Sequence, residues 1–156
     1  MKKILLTLLL TFLTSLASFS QEELKWHTDA NVALELAIKE NKKVLFFFTG
    51  SDWCGWCIKL QKEVFKTSDF KAWSKDIILV TLDYPKRTPQ SEKTKTQNKE
   101  LQQMFSVRGY PTVHFVNVEK LENGKLNLYN LGKTGYVRGG PNNWIEAANA
   151  ILKKAI

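Results

Sequence analysis

The chain has 156 residues, a formal net charge of +8, 44% hydrophobic residues and two cysteines. Its length and apolar content are those of one globular domain that buries its own core. A lone cysteine pair excludes a fold stapled by several disulfides. The basic balance invites nucleic-acid binding, but no recognition motif accompanies the charge, so nucleic acid is not an expected partner.

The chain opens with Met1-Lys2-Lys3, an apolar run over residues 4–13, and small polar residues ending Ser18-Phe19-Ser20-Gln21. This is the order of a cleavable secretory signal peptide. The run is shorter than the ~20 residues a membrane span needs. We therefore assign residues 1–20 to a signal peptide and 21–156 to one domain, periplasmic or secreted. No cysteine lies near the cleavage point to carry a lipid.

Within the domain, Ala30, Ala33, Leu34, Ala37 and Ile38 recur at helical spacing, with Thr28 or Asp29 as the cap. Residues 44–48, Val-Leu-Phe-Phe-Phe, predict a strand buried on both faces, as in a parallel sheet. Trp53-Cys54-Gly55-Trp56-Cys57 follows, and then Leu60, Gln61, Val64 and Phe65 at helical spacing. Thr67-Ser68-Asp69 breaks that helix, and Phe70 with Trp73 suggests a short second piece. Residues 77–82 form another buried strand. Residues 85–99, with Lys86, Arg87, Lys93, Lys95 and Lys99 against Glu92, read as a long basic surface loop. A helix over 99–105 would turn Leu101, Met104 and Phe105 inward. Strands over 112–118 and 126–131 join around Asn123-Gly124, a hairpin signal. Gly139-Gly140-Pro141 opens a last helix over 141–154, with Trp144, Ala148, Ile151 and Leu152 inward.

The cysteines carry the chemistry. Cys54 falls where a buried strand gives way to a helix, and unpaired N–H groups make a helix start partly positive. A thiolate there is stabilised, and a cysteine pKa of about 8.5 falls to roughly 3.5–7.5 in such places. Cys54 is the expected exposed nucleophile. Cys57, one turn deeper, is placed to attack the resulting mixed disulfide and release the partner. Zinc would need four ligands, and beyond this pair the chain offers only His27 and His114, so no metal is expected. An inert structural disulfide would close too short a loop to stabilise the fold much.

A strand running into Trp-Cys-x-x-Cys at a helix start, with Gly109-Tyr110-Pro111-Thr112 opening a later strand, resembles the thioredoxin fold. More narrowly, residues 48–54 (Phe-Thr-Gly-Ser-Asp-Trp-Cys) with Trp56-Cys57-Ile58-Lys59 resemble small exported thioredoxin-like proteins of the DsbH type. The basic stretch before the third helix and Gly139-Gly140-Pro141 fit that group as well. The resemblance implies an α/β thioredoxin fold, a central mixed sheet of four to five strands with helices on both faces. It implies a cis bond before Pro111, with Pro111 against the cysteines and the Tyr110 backbone free to pair with an extended substrate. Trp53, Gly55, Trp56, Tyr110 and Pro111 are the expected substrate contacts.

Two positions depart from typical thioredoxins. The buried acid six residues before the first cysteine is replaced by Phe48, so Asp52, Glu63 or water is left to accept the Cys57 proton. The intervening dipeptide is Gly55-Trp56, where typical thioredoxins have Gly-Pro. Lys59 is either a support for the thiolate or a solvated surface lysine, and His114 is expected to be structural. The resulting reading is a monomeric thiol–disulfide oxidoreductase that reduces exported proteins, draws electrons from a membrane donor and needs no cofactor beyond the cysteine pair. The alternatives are a disulfide isomerase or oxidase, and a non-catalytic peptide-binding module.

Overall fold

The computed structural model describes residues 24–154; the expected signal peptide lies outside the described residues. In chain order the elements are β1 (Trp26–His27), α1 (Ala30–Glu40), β2 (Lys43–Thr49), α2 (Gly55–Leu60) and α3 (Ser68–Trp73). They continue as β3 (Ile77–Asp83), α4 (Glu92–Met104), β4 (Thr112–Lys120), β5 (Leu126–Thr134) and α5 (Gly140–Lys153). The described strands form one five-stranded sheet in the order β1-β3-β2-β4-β5. β3 runs parallel to both β1 and β2, whereas β4 is antiparallel to β2 and to β5.

β2 sits at the centre, and its alternation assigns the two layers. Val44, Phe46 and Phe48 face a core built with α1, Leu101, Phe105 and Val107. Leu45 and Phe47 face the opposite core, which holds Cys54, Cys57, Leu60, Phe65, Phe70 and Trp144. Successive side chains of a strand point to opposite faces, so a run of five apolar residues serves two cores at once. The expected α/β thioredoxin architecture is present, with β1 as a short fifth strand.

Local signals explain most boundaries. The Asp29 side chain accepts from the N–H groups of Asn31 and Val32, which caps α1, and Asn41 ends it in the left-handed region at φ 51°. Past α2 the chain continues as a π-helical turn over Gln61–Phe65. The Thr67 hydroxyl then accepts from Phe70 N–H and starts α3. Gly139, at φ 105°, precedes α5, and a side chain there would also run into Asn143.

Two expectations are corrected. The basic stretch 85–99 is a loop only as far as Ser91; from Glu92 onward it belongs to α4, whose cap is the Ser91 hydroxyl accepting from Thr94 N–H. The first half of α4 lacks an apolar stripe because polar side chains dock it. Asn98 Nδ2 donates to Asp83 O at 2.8 Å, Tyr84 OH donates to Asn98 O at 2.6 Å, and Gln97 bonds Ala30 N–H and Thr28 O. Met104, expected inward, is 62% exposed, whereas Leu101 and Phe105 are buried.

Candidate active site

β2 delivers the chain into the turn Gly50-Ser51-Asp52-Trp53, which leads directly to α2. Cys54 is the cap residue of α2, and its N–H donates to Gly50 O at 2.9 Å. Cys54 and Cys57 are joined in a disulfide. The Cys57 N–H points at Cys54 Sγ, 3.2 Å away. This is the helix-start amide that a Cys54 thiolate would use. In this disulfide form Cys54 is 6% exposed and Cys57 0%, which corrects the expectation of an exposed Cys54. Both sulfurs belong to the apolar cluster beneath α2.

The turn is fastened from three sides. Ser51 donates through its N–H and its hydroxyl to the Asp83 carboxylate, at 2.8 and 2.6 Å. Asp52 accepts from the backbone N–H groups of Lys86, Arg87 and Thr88, and the Arg87 guanidinium donates to Asp52 O. Those backbone donors, Lys86 N–H first, hold the Asp52 carboxyl below its usual range. Trp53 Nε1 donates to Tyr84 O at 2.7 Å, and its ring lies over Gly50, where a Cβ would come within 2.4 Å of the indole. Tyr84 and Asp83 were not singled out in the sequence, and Gly50 was read there only as part of the stretch 48–54. The signal available was a glycine four residues before the first cysteine, where the backbone must admit a large neighbour.

The expected substrate contacts fall at one end of the sheet. Tyr110 makes a T-shaped contact with Trp53 at 5.7 Å and a tilted one with Tyr84 at 5.1 Å. The Tyr110–Pro111 peptide is cis. Gly55 has open space around its Cα, and Trp56 is 54% exposed. The Trp56 ring packs at 5.1 Å on Tyr136, and Lys59 Nζ stands 5.3 Å from the centroids of both rings. Tyr136 OH in turn donates to Glu63, a bond that raises the tyrosine's pKa. Neither carboxylate considered for the Cys57 proton is idle: Asp52 holds the 86–88 backbone, and Glu63 pairs with Tyr136 and, at 3.8 Å, with Lys59.

His114 lies on the other face of the sheet. Its ring packs against Phe105 and Phe48, and its Nδ1 is 3.0 Å from Asn130 Oδ1. Burial lowers its pKa. No group of three or more His, Cys, Asp or Glu residues that could hold a metal occurs among the described residues.

A family model described as thioredoxin-like matches residues 25–117. The chain belongs to the thioredoxin-like family. It is 34% identical over 131 residues to the disulfide bond reductase DsbH of Chlamydia pneumoniae, covering 83% of this chain and 74% of that protein. Among solved structures, the DsbH oxidoreductase superposes with a TM-score of 0.73 at 31% identity, over 87% of this chain and 89% of that one. A thioredoxin from Thermus thermophilus has the same fold, with a TM-score of 0.59 at 18% identity over 85% of this chain and 89% of that one. The residues matched by the family model include β2, the turn after it and α2, which carry Cys54 and Cys57.

Proposed function

We infer that the protein is a thiol–disulfide oxidoreductase that reduces disulfides of exported proteins. The observation that carries this reading is the Cys54–Cys57 disulfide at the start of α2, with the Cys57 N–H aimed at Cys54 Sγ. The similarity to a disulfide bond reductase supports the reducing direction.

In the reduced protein the Cys54 thiolate attacks one sulfur of a substrate disulfide. A Cys54–substrate disulfide forms, and the second substrate sulfur leaves as a thiolate that takes a proton from solvent. Cys57 then gives up its proton and attacks Cys54 Sγ, closing the Cys54–Cys57 disulfide and releasing the first substrate sulfur, which is protonated in turn. Two electrons pass from the cysteine pair to the substrate, and an electron donor at the membrane restores the dithiol. Trp53, Gly55, Trp56, Tyr110 and Pro111 form the substrate face. Tyr110 offers backbone groups to an extended chain, and Pro111 has no N–H to compete for the thiolate. Residues 1–20 direct export, and the domain acts as a monomer.

Insulin reduction in the presence of dithiothreitol tests the reading. The wild type accelerates precipitation of the insulin B chain and Cys54→Ser does not; equal rates would remove the enzyme and leave a peptide-binding module. Cys57→Ala is expected to accumulate mixed disulfides whose partners identify the substrates.

A further inference from the structure

The sheet topology brings four loops to the end that carries the cysteines. β2 and β3 are parallel and both end there; β4, antiparallel to β2, begins there, and β5, antiparallel to β4, ends there. The loop segments are residues 50–59, 84–90, 108–112 and 134–139. They hold five basic residues, Lys59, Lys86, Arg87, Arg108 and Arg138, against one acid, Asp52. All five cations are exposed. The neighbouring carboxylates have partners within the protein. Asp52 accepts backbone N–H groups, Asp83 at the end of β3 accepts from Ser51, and Asp29 after β1 pairs with Lys93 at 2.8 Å. Glu63 bonds Tyr136 and stands 3.8 Å from Lys59. The basic loop is also fixed in place. The Asp52 bonds to the N–H groups of Lys86, Arg87 and Thr88 tie it to the residue two before Cys54, and Lys86 Nζ stands 4.2 Å from the Trp53 ring centroid. Lys59 Nζ stands 5.3 Å from the Trp56 centroid.

We propose that this end of the molecule receives acidic polypeptide segments, so that the preferred substrate disulfides are those flanked by Asp or Glu. Cations held beside a site by a fixed backbone raise the local concentration of oppositely charged partners and speed their encounter. Lys86 and Lys59 stand against the two tryptophans that flank Cys54, so carboxylates on either side of a substrate cysteine meet positive charge. The exchange itself is unaltered: the Cys54 thiolate attacks the substrate disulfide, and Cys57 closes the Cys54–Cys57 bond as the substrate sulfur leaves and is protonated by solvent. The inference rests on the oxidoreductase reading and adds the charge of its substrates.

Three disulfide-linked peptides that differ only in the residues beside the cysteine, Glu, Gln or Lys, test the proposal on the full chain, reduced beforehand. Each rate is divided by that with dithiothreitol, which removes the peptide's own reactivity. At low salt the Glu peptide is expected to react about tenfold faster than the Gln peptide, and the Lys peptide about tenfold slower. In about 0.5 M sodium chloride the three should converge to within about twofold, because exposed charges are screened. Lys86→Glu combined with Arg108→Glu reverses the charge at two of the four loops and is expected to lower the Glu-to-Lys rate ratio by about tenfold or more. Damage to the fold would instead lower all three rates together and leave the ratio in place. Equal normalised rates for the three peptides in wild type, or a ratio that the two substitutions leave unchanged, overturns the proposal. A wild type that reduces none of the peptides removes the oxidoreductase reading itself.

Discussion

The two tryptophans that flank Cys54 are built in opposite ways. Trp53 is part of the wall: its indole N–H is bonded to Tyr84 O, its ring fills the space above Gly50, and Lys86 Nζ stands 4.2 Å from its centroid. Trp56 is presented outward, 54% exposed, and rests on Tyr136 and Lys59. One side of the cysteine pair is therefore fixed by hydrogen bonds to the β3 end and the 84–88 segment, and the other offers an aromatic surface. We propose that Trp53, within the substrate face, mainly sets the geometry at Cys54, and that Trp56, more exposed, offers the larger contact to a protein substrate.

The sharpest way to break the comparison is Trp53→Ala. Removing a large packed ring and its hydrogen bond should destabilise the protein by about 2 kcal/mol, read as an earlier midpoint in urea. Insulin reduction should fall with it. Gly50→Ala places a Cβ against the same ring and should destabilise by ~1–3 kcal/mol through overpacking. In the double variant the overlap disappears, so the combined loss should be smaller than the sum of the two. Simple additivity would mean that the indole does not rest on Gly50. Trp56→Ala should change stability by less than about 0.5 kcal/mol. Its effect should appear as a several-fold higher KM for a folded protein substrate, with little change toward a small disulfide. A loss of stability like that of Trp53→Ala would erase the distinction.

The smallest effect is expected at His114, on the far face. Burial keeps this imidazole below its ordinary value of 6.5, so the unfolded chain binds more protons than the folded one between the two values. The stability tied to neutral His114 is present above pH 6.5 and is lost as pH falls through the lowered folded value. His114→Leu should flatten that slope in urea melts between pH 5 and 7 without altering the rate of disulfide exchange; an unchanged slope would show that other groups set it.

The parts of the molecule legible in the sequence are those where one local signal decides. Residues 44–48 are apolar throughout because β2 faces two cores. Asn123-Gly124 marks the hairpin because Gly124 sits at φ 78°. Cys54 and Cys57 were legible from their spacing and from the strand before them. The parts that were not legible depend on partners distant in the chain. The first turns of α4 look like a basic loop because they dock through Asn98 and Gln97 rather than through an apolar stripe. Asp52 reads as a candidate acid, but its carboxylate is engaged by backbone amides 34 to 36 residues away. Trp53 and Trp56 look alike in sequence, and only Tyr84 and Gly50 make one of them structural.

The central claim is that Cys54 is held ready as a thiolate by the start of α2. It is tested most directly by the pH dependence of Cys54 alkylation in the reduced protein, followed by mass spectrometry so that Cys57 is read separately. The account predicts a Cys54 midpoint at least one unit below the ~8.5 of an ordinary cysteine, with Cys57 titrating higher. A Cys54 that keeps its proton to about 8.5 or beyond, or that titrates after Cys57, would contradict it.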